Sequence, residues 1–270
     1  MHYKACWISD LHLGCKKTEI DALYHFLKEN EFDKLYLVGD IIDIWRMKKS
    51  GFLNNNIGQK HINVIQRILK LSKKGTKIYY IYGNHDEFMA NFAKEIDHLG
   101  NIHFAEKIIH YTSSGKKYLV LHGHQFDLLT LYSPFIAKIG DSGYELLIWV
   151  NKKLNRLRRY LKLNHWSLSK YVKVKIKKAA NFIANFSDSV ARMAKEEDCD
   201  GVIAGHIHSA ESKIIHGKHY VNCGCWTDSL NCNAVVEDHN GNLIIIDYGK
   251  YYLENIVNRP KTQIREPMYA

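Results

Sequence analysis

Residues 34–43 read KLYLVGDIID, an apolar run that ends in a glycine and two aspartates. The same order of features recurs at 3–12, which read YKACWISDLH, and at 77–86, which read KIYYIYGNHD. Short apolar runs of this kind, separated by stretches with helical periodicity, are typical of strands connected by crossover helices. The sequence therefore predicts an α/β fold in which polar residues directly follow the strands.

The whole chain can be divided in the same way. Strands are predicted at 3–9, 34–39, 77–83, 117–122, 201–205, 213–216, 219–222, 233–237 and 243–248. Helices are predicted at 18–30, 60–73 and 86–98. The later strands are short and separated by turn residues such as Asn240 and Gly241, which predicts a meander or a second sheet.

Length and composition favour one large core with an insertion. The chain has 270 residues, of which 46% are hydrophobic and only 3 are proline. We expect one domain at 1–250, a helical insertion at about 126–196 and a C-terminal tail at 251–270. No stretch approaches the roughly 18 uninterrupted apolar residues of a membrane span. A strand pattern at the very start predicts no signal peptide, so a cytoplasmic location is expected.

The positive charge is concentrated in the insertion. The formal net charge is +10, yet residues 146–187 contain eleven Lys and Arg and no Asp or Glu. Leu147, Val150, Leu154, Leu157 and Leu161 recur at three- and four-residue steps, which is typical of an amphipathic helix. An ordinary solvated helix face mixes both signs. A cap that presents cations to phosphates or to an anionic lipid surface is therefore favoured over a merely solvated face.

Five clusters of polar residues follow predicted strands. They are Asp10-x-His12, Asp40-x-x-Asp43, Asn84-His85-Asp86, His122-x-His124 and His206-x-His208. Loops that leave the carboxyl ends of strands in an open sheet meet in one crevice. One such histidine alone would more often be structural, but five clusters in succession predict a common site.

The residue types indicate the chemistry of that site. A mixture of Asp, His and Asn matches manganese, iron or zinc better than an all-oxygen magnesium site or an all-sulfur zinc site. More than four candidate ligands suggest two ions, with Asp40 as a carboxylate that bridges them. Water shared by two such ions becomes a nucleophile near neutral pH, so hydrolysis of a phosphate ester is the expected reaction. The pair Cys223 and Cys225 is interpreted as packed or free thiols rather than a zinc site.

Taken in order, these five clusters resemble the signature of the calcineurin-like metallophosphoesterases, over residues from about 5 to 248. The resemblance implies two mixed sheets sandwiched between helices and two metal sites. It implies one metal on Asp10, His12, Asp40 and His208. It implies the other on Asp40, Asn84, His122 and His206.

The same resemblance implies catalytic roles. His85 is similar to the family's histidine that contacts the phosphate and helps to protonate the leaving group, with Asp86 or Asp43 as its orienting partner. Asn84 would contact the phosphate as well as the metal. His124 is expected to be structural or to lie behind the ligands, because the family ligand is the first histidine of that pair.

Trp45, the overall length and the helical insertion are similar to the UDP-2,3-diacylglucosamine diphosphatase group of this superfamily. Those enzymes hydrolyse the pyrophosphate of a diacylated UDP-sugar at the inner face of the bacterial inner membrane. The resemblance implies a lipidic nucleotide-sugar substrate, an anionic membrane surface as partner and no obligate protein partner. The cap residues expected to contact substrate are Arg156, Arg158, Arg159, Lys177 and Lys178. The chain departs from the group's best-known members at His85, where they carry arginine.

Two other functions are considered. A nuclease or nucleotide phosphodiesterase of the same superfamily would use the basic cap to follow a nucleic-acid backbone. The cap holds few aromatic residues for base stacking, chiefly Tyr160, Trp166 and Tyr171, which weakens that alternative. A metal-free scaffold that has lost catalysis is disfavoured, because all seven ligand candidates are present.

Overall fold

The protein is described from a computed structural model, over residues 1–43, 56–95, 98–126, 186–228 and 232–257. Two compact units are distinguished along the chain, one made of residues 1–124 with 190–270 and the other of residues 125–189. Most of the second unit lies outside the described residues, and so does most of the predicted insertion at 126–196. Of that insertion, residues 186–196 form a helix.

The first sheet has seven strands and contains the N-terminal strand patterns. Its strands are β1 (His2–Ile8), β2 (Glu31–Val38), β3 (Lys77–Ile81), β4 (His98–Leu99), β5 (Ile102–Ala105), β11 (Asn233–Glu237) and β12 (Leu243–Asp247), in the spatial order β12-β11-β1-β2-β3-β5-β4. β1, β2, β3 and β5 run parallel, and β11 joins β1 antiparallel. The sheet is therefore mixed, with a parallel centre.

The second sheet has five strands. They are β6 (Lys107–Tyr111), β7 (Lys117–Leu121), β8 (Gly201–Ala204), β9 (Glu211–Ile215) and β10 (Lys218–Asn222), in the order β6-β7-β8-β10-β9. The described helices are α1 (Ile20–Glu29), α2 (Asn56–Lys73), α3 (Phe88–Glu95), α4 (186–196) and α5 (Tyr248–Tyr252). The predicted α/β fold with two mixed sheets and helices is confirmed.

Side chains of β1 point alternately into two different cores, which explains why the strand is apolar on both faces. Ala5 and Trp7 lie in a core shared with Tyr118 and Val120 of the second sheet, whereas Cys6 and Ile8 lie in a core that includes residues of α1 and α2. Successive side chains of a strand point to opposite faces. The first sheet is thus buried on both sides, which is why its strands read as continuous apolar runs.

Several sequence-based boundaries and pairings were wrong. The helix predicted at 86–98 begins at Phe88 and its described part ends at Glu95, and His98 lies in a strand. β5 and β6 were not predicted. The C-terminal strands were predicted to form a meander or a second sheet; β9 and β10 do join a second sheet, whereas β11 and β12 join the first. None of the helices within the described ranges has the length and apolar character needed to cross a bilayer.

A buried polar chain connects the two sheets. Nε2 of His110 on β6 lies 2.8 Å from Oε2 of Glu237 on β11, and Nδ1 of His110 lies 2.8 Å from the hydroxyl of Tyr36 on β2. A carboxylate only accepts, so Nε2 of His110 carries a proton and donates to Glu237. The backbone N–H of Ser113 donates to the other oxygen of Glu237 at 2.6 Å.

We expect this chain to make stability depend on pH. Burial alone would raise the pKa of Glu237, but the hydrogen bonds from His110 and Ser113 lower it. The ionised carboxylate therefore stabilises the fold above the unfolded-state pKa of about 4.3, and this contribution is lost as pH falls through the folded-state pKa. Glu237→Gln should lower the free energy of unfolding at pH 7 by about 2 kcal/mol.

Urea unfolding of the parent and the variant between pH 7 and pH 3 measures this effect. The difference in unfolding free energy should shrink as the pH falls below about 4. Glu31→Gln is the control, because Glu31 is exposed at the start of β2. A difference that stays constant over the whole range would contradict the prediction.

Candidate metal centre

All seven predicted metal ligands lie in loops that follow strands. The ligands are Asp10 and His12 after β1, Asp40 after β2, Asn84 after β3, His122 after β7, and His206 and His208 after β8. β1, β2 and β3 are parallel neighbours in one sheet, and β7 and β8 are parallel neighbours in the other. Their loops consequently open at the carboxyl edge of each sheet.

The first candidate ion site is built around Asp10. Its Oδ1 atom is 3.0 Å from Nε2 of His208 and 4.0 Å from Nε2 of His12. Asp10 is fully buried, and Oδ1 makes no hydrogen bond. A buried carboxylate oxygen without a donor is costly. A divalent cation among these three ligand atoms, which all lie within 4.8 Å of one another, would satisfy it.

The second candidate ion site contains Asp10, Asp40 and His122. Nδ1 of His122 lies 2.9 Å from the carbonyl oxygen of Val38, and because a carbonyl accepts, Nδ1 donates. In the neutral ring Nε2 would then carry the lone pair that can bind a metal ion. This atom is buried, makes no hydrogen bond and lies 3.5 Å from Oδ1 of Asp40. An imidazole held by one nitrogen with the other free is the usual arrangement of a metal ligand.

The carboxylate of Asp40 faces both sites. Oδ1 is directed toward His122, and Oδ2 lies 3.8 Å from Nε2 of His12. The carboxylate can thus contribute one oxygen to each ion. Asp10 also belongs to both groups of ligand atoms, although the sequence predicted that only Asp40 would be shared.

Of the remaining two ligand candidates, His206 lies beside His122, and Asn84 precedes His85 in the loop after β3. Oδ1 of Asn84 is buried and makes no hydrogen bond. The ring of His206 lies 5.1 Å from the ring of His122 in an edge-to-face arrangement, and its backbone N–H donates to Oδ2 of Asp10 at 3.0 Å. The structure therefore brings His206 to the side of the centre where His122 lies.

Backbone strain is concentrated at these positions. Positive φ angles occur at five of the seven candidates, namely Asp10 (54°), His12 (44°), Asp40 (53°), His206 (73°) and His208 (55°). Each such angle in a residue other than glycine costs on the order of 1–3 kcal/mol and persists where the surrounding structure imposes it. Strain of this kind clusters at functional sites.

The two candidate partners of His85 have different surroundings. Oδ2 of Asp43 lies 3.4 Å from Nδ1 of His85 and 3.7 Å from Nδ1 of His12. Nε2 of His85 lies 3.9 Å from Oδ2 of Asp40. The nearby carboxylate of Asp43 raises the pKa of His85, although burial lowers it, and Asp40 raises it further. His85 is thus adapted to hold a proton beside the candidate ion sites.

Asp86 is fully buried, and its carboxylate accepts hydrogen bonds from groups other than His85. Its donors are the backbone N–H groups of Gly83 (2.6 Å), Ile41 (2.9 Å) and Asp40 (3.3 Å), and the hydroxyl of Tyr80 (2.6 Å). These bonds join the loop after β3 to the loop after β2. Asp86 therefore positions Asp40, a role that its place beside His85 in the sequence did not indicate.

The carboxylates and imidazoles shift each other's pKa values. Burial alone would raise the pKa of Asp10, but His208, His122 and His12 lower it. Burial would lower the pKa of His122, but Asp40 and Asp10 raise it to about 9. Similarly, Asp10 raises the pKa of His208 to about 11 against the effect of burial. Protons and metal ions compete for these atoms, so metal binding is expected to release protons.

His124 lies next to the candidate ligand His122. Its ring is 5.7 Å from that of His122, and its Nδ1 atom is buried without a hydrogen bond. Burial lowers its pKa, and His122 lowers it further. The cap residues predicted to contact substrate, Arg156, Arg158, Arg159, Lys177 and Lys178, lie outside the described residues, as does Trp45.

The sequence profile of the calcineurin-like phosphoesterases matches residues 3–210, which include all seven candidate ligands. The chain belongs to this family. The family implies divalent metal ions, and the buried lone pairs of Asp10 and His122 fit them. As a member of the calcineurin-like phosphoesterases, the chain is grouped with hydrolases.

Curated relatives of this calcineurin-like phosphoesterase carry one shared name. The UDP-2,3-diacylglucosamine hydrolase of Aliivibrio fischeri is 26% identical over 217 residues, which are 76% of this chain and 82% of the relative. The protein of the same name from Shewanella pealeana is 22% identical over 253 residues, 92% of this chain and 100% of the relative. A solved archaeal phosphodiesterase covers 90% of this chain with a TM-score of 0.42 and 14% identity, which adds nothing to the family match.

Proposed function

We propose that this calcineurin-like phosphoesterase is a dinuclear-metal hydrolase that cleaves the pyrophosphate bond of a diacylated UDP-sugar. The observation that carries the proposal is the pair of ligand groups that share Asp10, with one oxygen of Asp40 directed to each. Two divalent ions held there would activate water and neutralise charge on the phosphate. Mn²⁺ suits the mixed oxygen and nitrogen ligands, and iron or zinc would also fit.

The ligand sets in this proposal follow the geometry. Asp10, His12 and His208 would hold one ion, and His122 and His206 would help to hold the other. Asp40 and Asp10 are shared by both sites, and Asn84 offers its buried Oδ1 to the second ion or to the phosphate. The shape of the site is kept by Asp86, which bonds to the backbone that carries Asp40.

His85 and Asp43 form the proton-transfer pair of the proposed reaction. The carboxylate of Asp43, 3.4 Å from Nδ1 of His85, stabilises the protonated ring, whose Nε2 atom lies toward Asp40. From Nε2 the proton can pass to the oxygen of the leaving phosphate. A positioned general acid accelerates such a step by roughly 10²–10⁴-fold.

The leaving group tests this role. We expect His85→Gln to reduce kcat by about 100-fold or more for an alkyl phosphodiester, whose leaving oxygen needs a proton, and much less for a p-nitrophenyl ester. Asp43→Asn should give the same pattern, because it removes the group that favours protonation of His85. The ratio of the two rates for each variant is the measurement. Equal losses on both esters would contradict the role.

The substrate follows from the relatives rather than from the site. The curated relatives are named for hydrolysis of UDP-2,3-diacylglucosamine, and two of them match 76% and 92% of this chain. We infer that the products are UMP and a lipid monophosphate. The protein would then act at the cytoplasmic face of the inner membrane, where the basic residues of 146–187 contact anionic lipid and substrate phosphates.

The test is an assay with Mn²⁺ that compares three substrates: UDP-2,3-diacylglucosamine, bis-p-nitrophenyl phosphate and single-stranded DNA. Release of UMP from the first at a kcat/KM well above that for the other two supports the proposal. Faster cleavage of DNA would favour the nuclease alternative, for which the basic stretch of residues 146–187 is the specific observation. Inactivity toward all three would contradict both.

A further inference from the structure

The asparagine at the end of β10 is bonded to the loop that follows β8. Asn222 is fully buried, and its Nδ2 atom donates to the carbonyl oxygen of Gly205 at 2.7 Å and to the hydroxyl of Tyr220 at 3.1 Å. Its Oδ1 atom accepts the backbone N–H of Gly224 at 3.0 Å. Because a carbonyl only accepts and a backbone N–H only donates, the amide fits these partners in one orientation.

The loop of residues 205–208, here called the histidine loop, begins with a strained turn. The backbone N–H of Ile207 donates to the carbonyl oxygen of Gly205 at 2.9 Å, and His206 between them has a φ of 73°. A hydrogen bond from residue i+2 to residue i across a φ of about +75° defines the rarer and more strained form of γ-turn. His208 also has a positive φ, 55°. Such backbone persists only where surrounding contacts impose it.

Contacts with neighbouring loops hold this turn in place. The backbone N–H of Gly205 donates to the carbonyl oxygen of His122 at 3.2 Å, and that of His206 donates to Oδ2 of Asp10 at 3.0 Å. The bond from Asn222 reaches the same carbonyl oxygen that closes the turn. Unlike Asp10 and His122, Asn222 is not one of the seven candidate ligands. Its substitution therefore leaves all of their side chains present.

The start of the histidine loop is packed closely against the loop that carries Asp10. A Cβ atom at Gly205 would lie 2.7 Å from Cβ of Ser9 and 2.9 Å from Oδ2 of Asp10. The hydroxyl of Ser9 donates to the carbonyl oxygen of Gly224, whose N–H is bonded to Asn222. Since the backbone cannot come closer to Asp10, a shift of the turn would move the histidine loop away from it.

We propose that Asn222 is the positioning residue of the histidine loop and that its bond to Gly205 directs both histidines toward the candidate metal centre. Groups that orient metal ligands commonly bond to the ligand side chain itself. Here the bond acts on the backbone one residue before the first histidine. It serves both candidate ion sites, because His208 belongs to the first and His206 lies at the second. The inference rests on the proposed role of these histidines as metal ligands.

Hydrogen exchange of the metal-depleted full chain tests the positioning role without reference to activity. We expect Asn222→Ala to speed exchange in the peptide that contains the histidine loop by about 10-fold, because the strained turn loses a buried hydrogen bond. Mass spectrometry of that peptide, compared with a peptide from β2, is the measurement. Asn222→Ser is the second variant, since one hydroxyl oxygen cannot occupy the positions of both amide atoms. It should speed exchange in the same peptide.

Calorimetric titration of the same metal-depleted chains with Mn²⁺ measures the consequence for the centre. Asn222→Ala should weaken both Mn²⁺ affinities by roughly 10–100-fold, the usual effect of removing a group that orients metal ligands. Asn222→Ser should weaken both in the same direction. Loss of protection in the histidine loop with parent Mn²⁺ affinities would overturn the proposal, because the bond would then not position the ligands.

Asn30→Ala is the matched control. Asn30 is a buried asparagine directly after α1, and its Nδ2 atom donates to the carbonyl oxygen of Phe26 at 2.8 Å. The variant loses the same kind of bond at the opposite end of β2 from Asp40, so it should bind two Mn²⁺ ions with the parent affinities. Equal weakening in Asn30→Ala and Asn222→Ala, or parent-like exchange and affinities in Asn222→Ala, would overturn the proposal.

His206→Ala and His208→Ala separate this inference from the proposed function. If these two variants bind Mn²⁺ more weakly while Asn222→Ala binds both ions normally, the metal set stands and the positioning role fails. If both histidine variants still bind two ions with the parent affinities, the metal set itself is wrong, and the role of Asn222 falls with it.

Discussion

Asp40→Asn is expected to reduce phosphoester hydrolysis by about 1000-fold or more, because it removes the charge that two candidate ion sites share. The substitution keeps the shape of the side chain and an oxygen that can still accept the backbone N–H of His85, which lies 2.8 Å from Oδ1. The local fold should therefore survive. His12 and His122 would both lose the negative charge of Asp40, which now lies 3.8 Å and 3.5 Å from them.

Metal content and activity are to be measured on the same preparation. The variant should hold fewer than two Mn²⁺ ions per chain, and its urea unfolding midpoint without metal should be no lower than that of the parent. Asp33→Asn is the control. Asp33 lies on β2, the strand that precedes Asp40, is exposed and pairs with Lys4. Full metal content with undiminished turnover in Asp40→Asn would contradict the shared-ligand arrangement.

The strand-end clusters could be recognised from the sequence because the polar residues begin where an apolar run of strand length ends. In 34–43 the apolar run is long enough for a strand buried on both faces, and the aspartates begin where it ends. β1 and β3 repeat this order, and all three strands are parallel neighbours. The convergence of their loops then follows from topology rather than from any single residue.

The pairing of the C-terminal strands could not be predicted in this way. A short alternating run specifies a half-buried strand but not the sheet that it joins. β11 pairs with β1 across more than two hundred residues of sequence and in turn carries β12, whereas β10 pairs with β8 nearby. β4 has only two residues and β5 only four, too few for a clear periodic signal.

The contacts between side chains within the site could not be predicted from the sequence either. The family resemblance implied Asp86 or Asp43 as the partner that orients His85, yet the carboxylate of Asp86 accepts from backbone donors of two loops. Which carboxylate meets His85 depends on how the loops after β2 and β3 cross.

Gly39→Ala is expected to cause the second large loss of activity, although glycine has no side chain to bind a metal. A Cβ atom at this position would lie 2.3 Å from Cγ and Nδ1 of His122, far inside van der Waals contact. His122 is fully buried and is held through Nδ1 by Val38, so its ring has no space into which to move. We expect displacement of Nε2 to weaken Mn²⁺ binding and to reduce hydrolysis by about 100-fold or more.

Gly217→Ala separates this clash from backbone strain. Gly217 has a φ of 73° and Gly39 a φ of 77°, so alanine has a similar left-handed cost of about 1 kcal/mol at both. No atom lies within 4 Å of a Cβ at Gly217. Both variants should lose similar stability from strain, but only Gly39→Ala should lose metal affinity. Equal losses of activity would show that strain, and not the contact with His122, explains the glycine before Asp40.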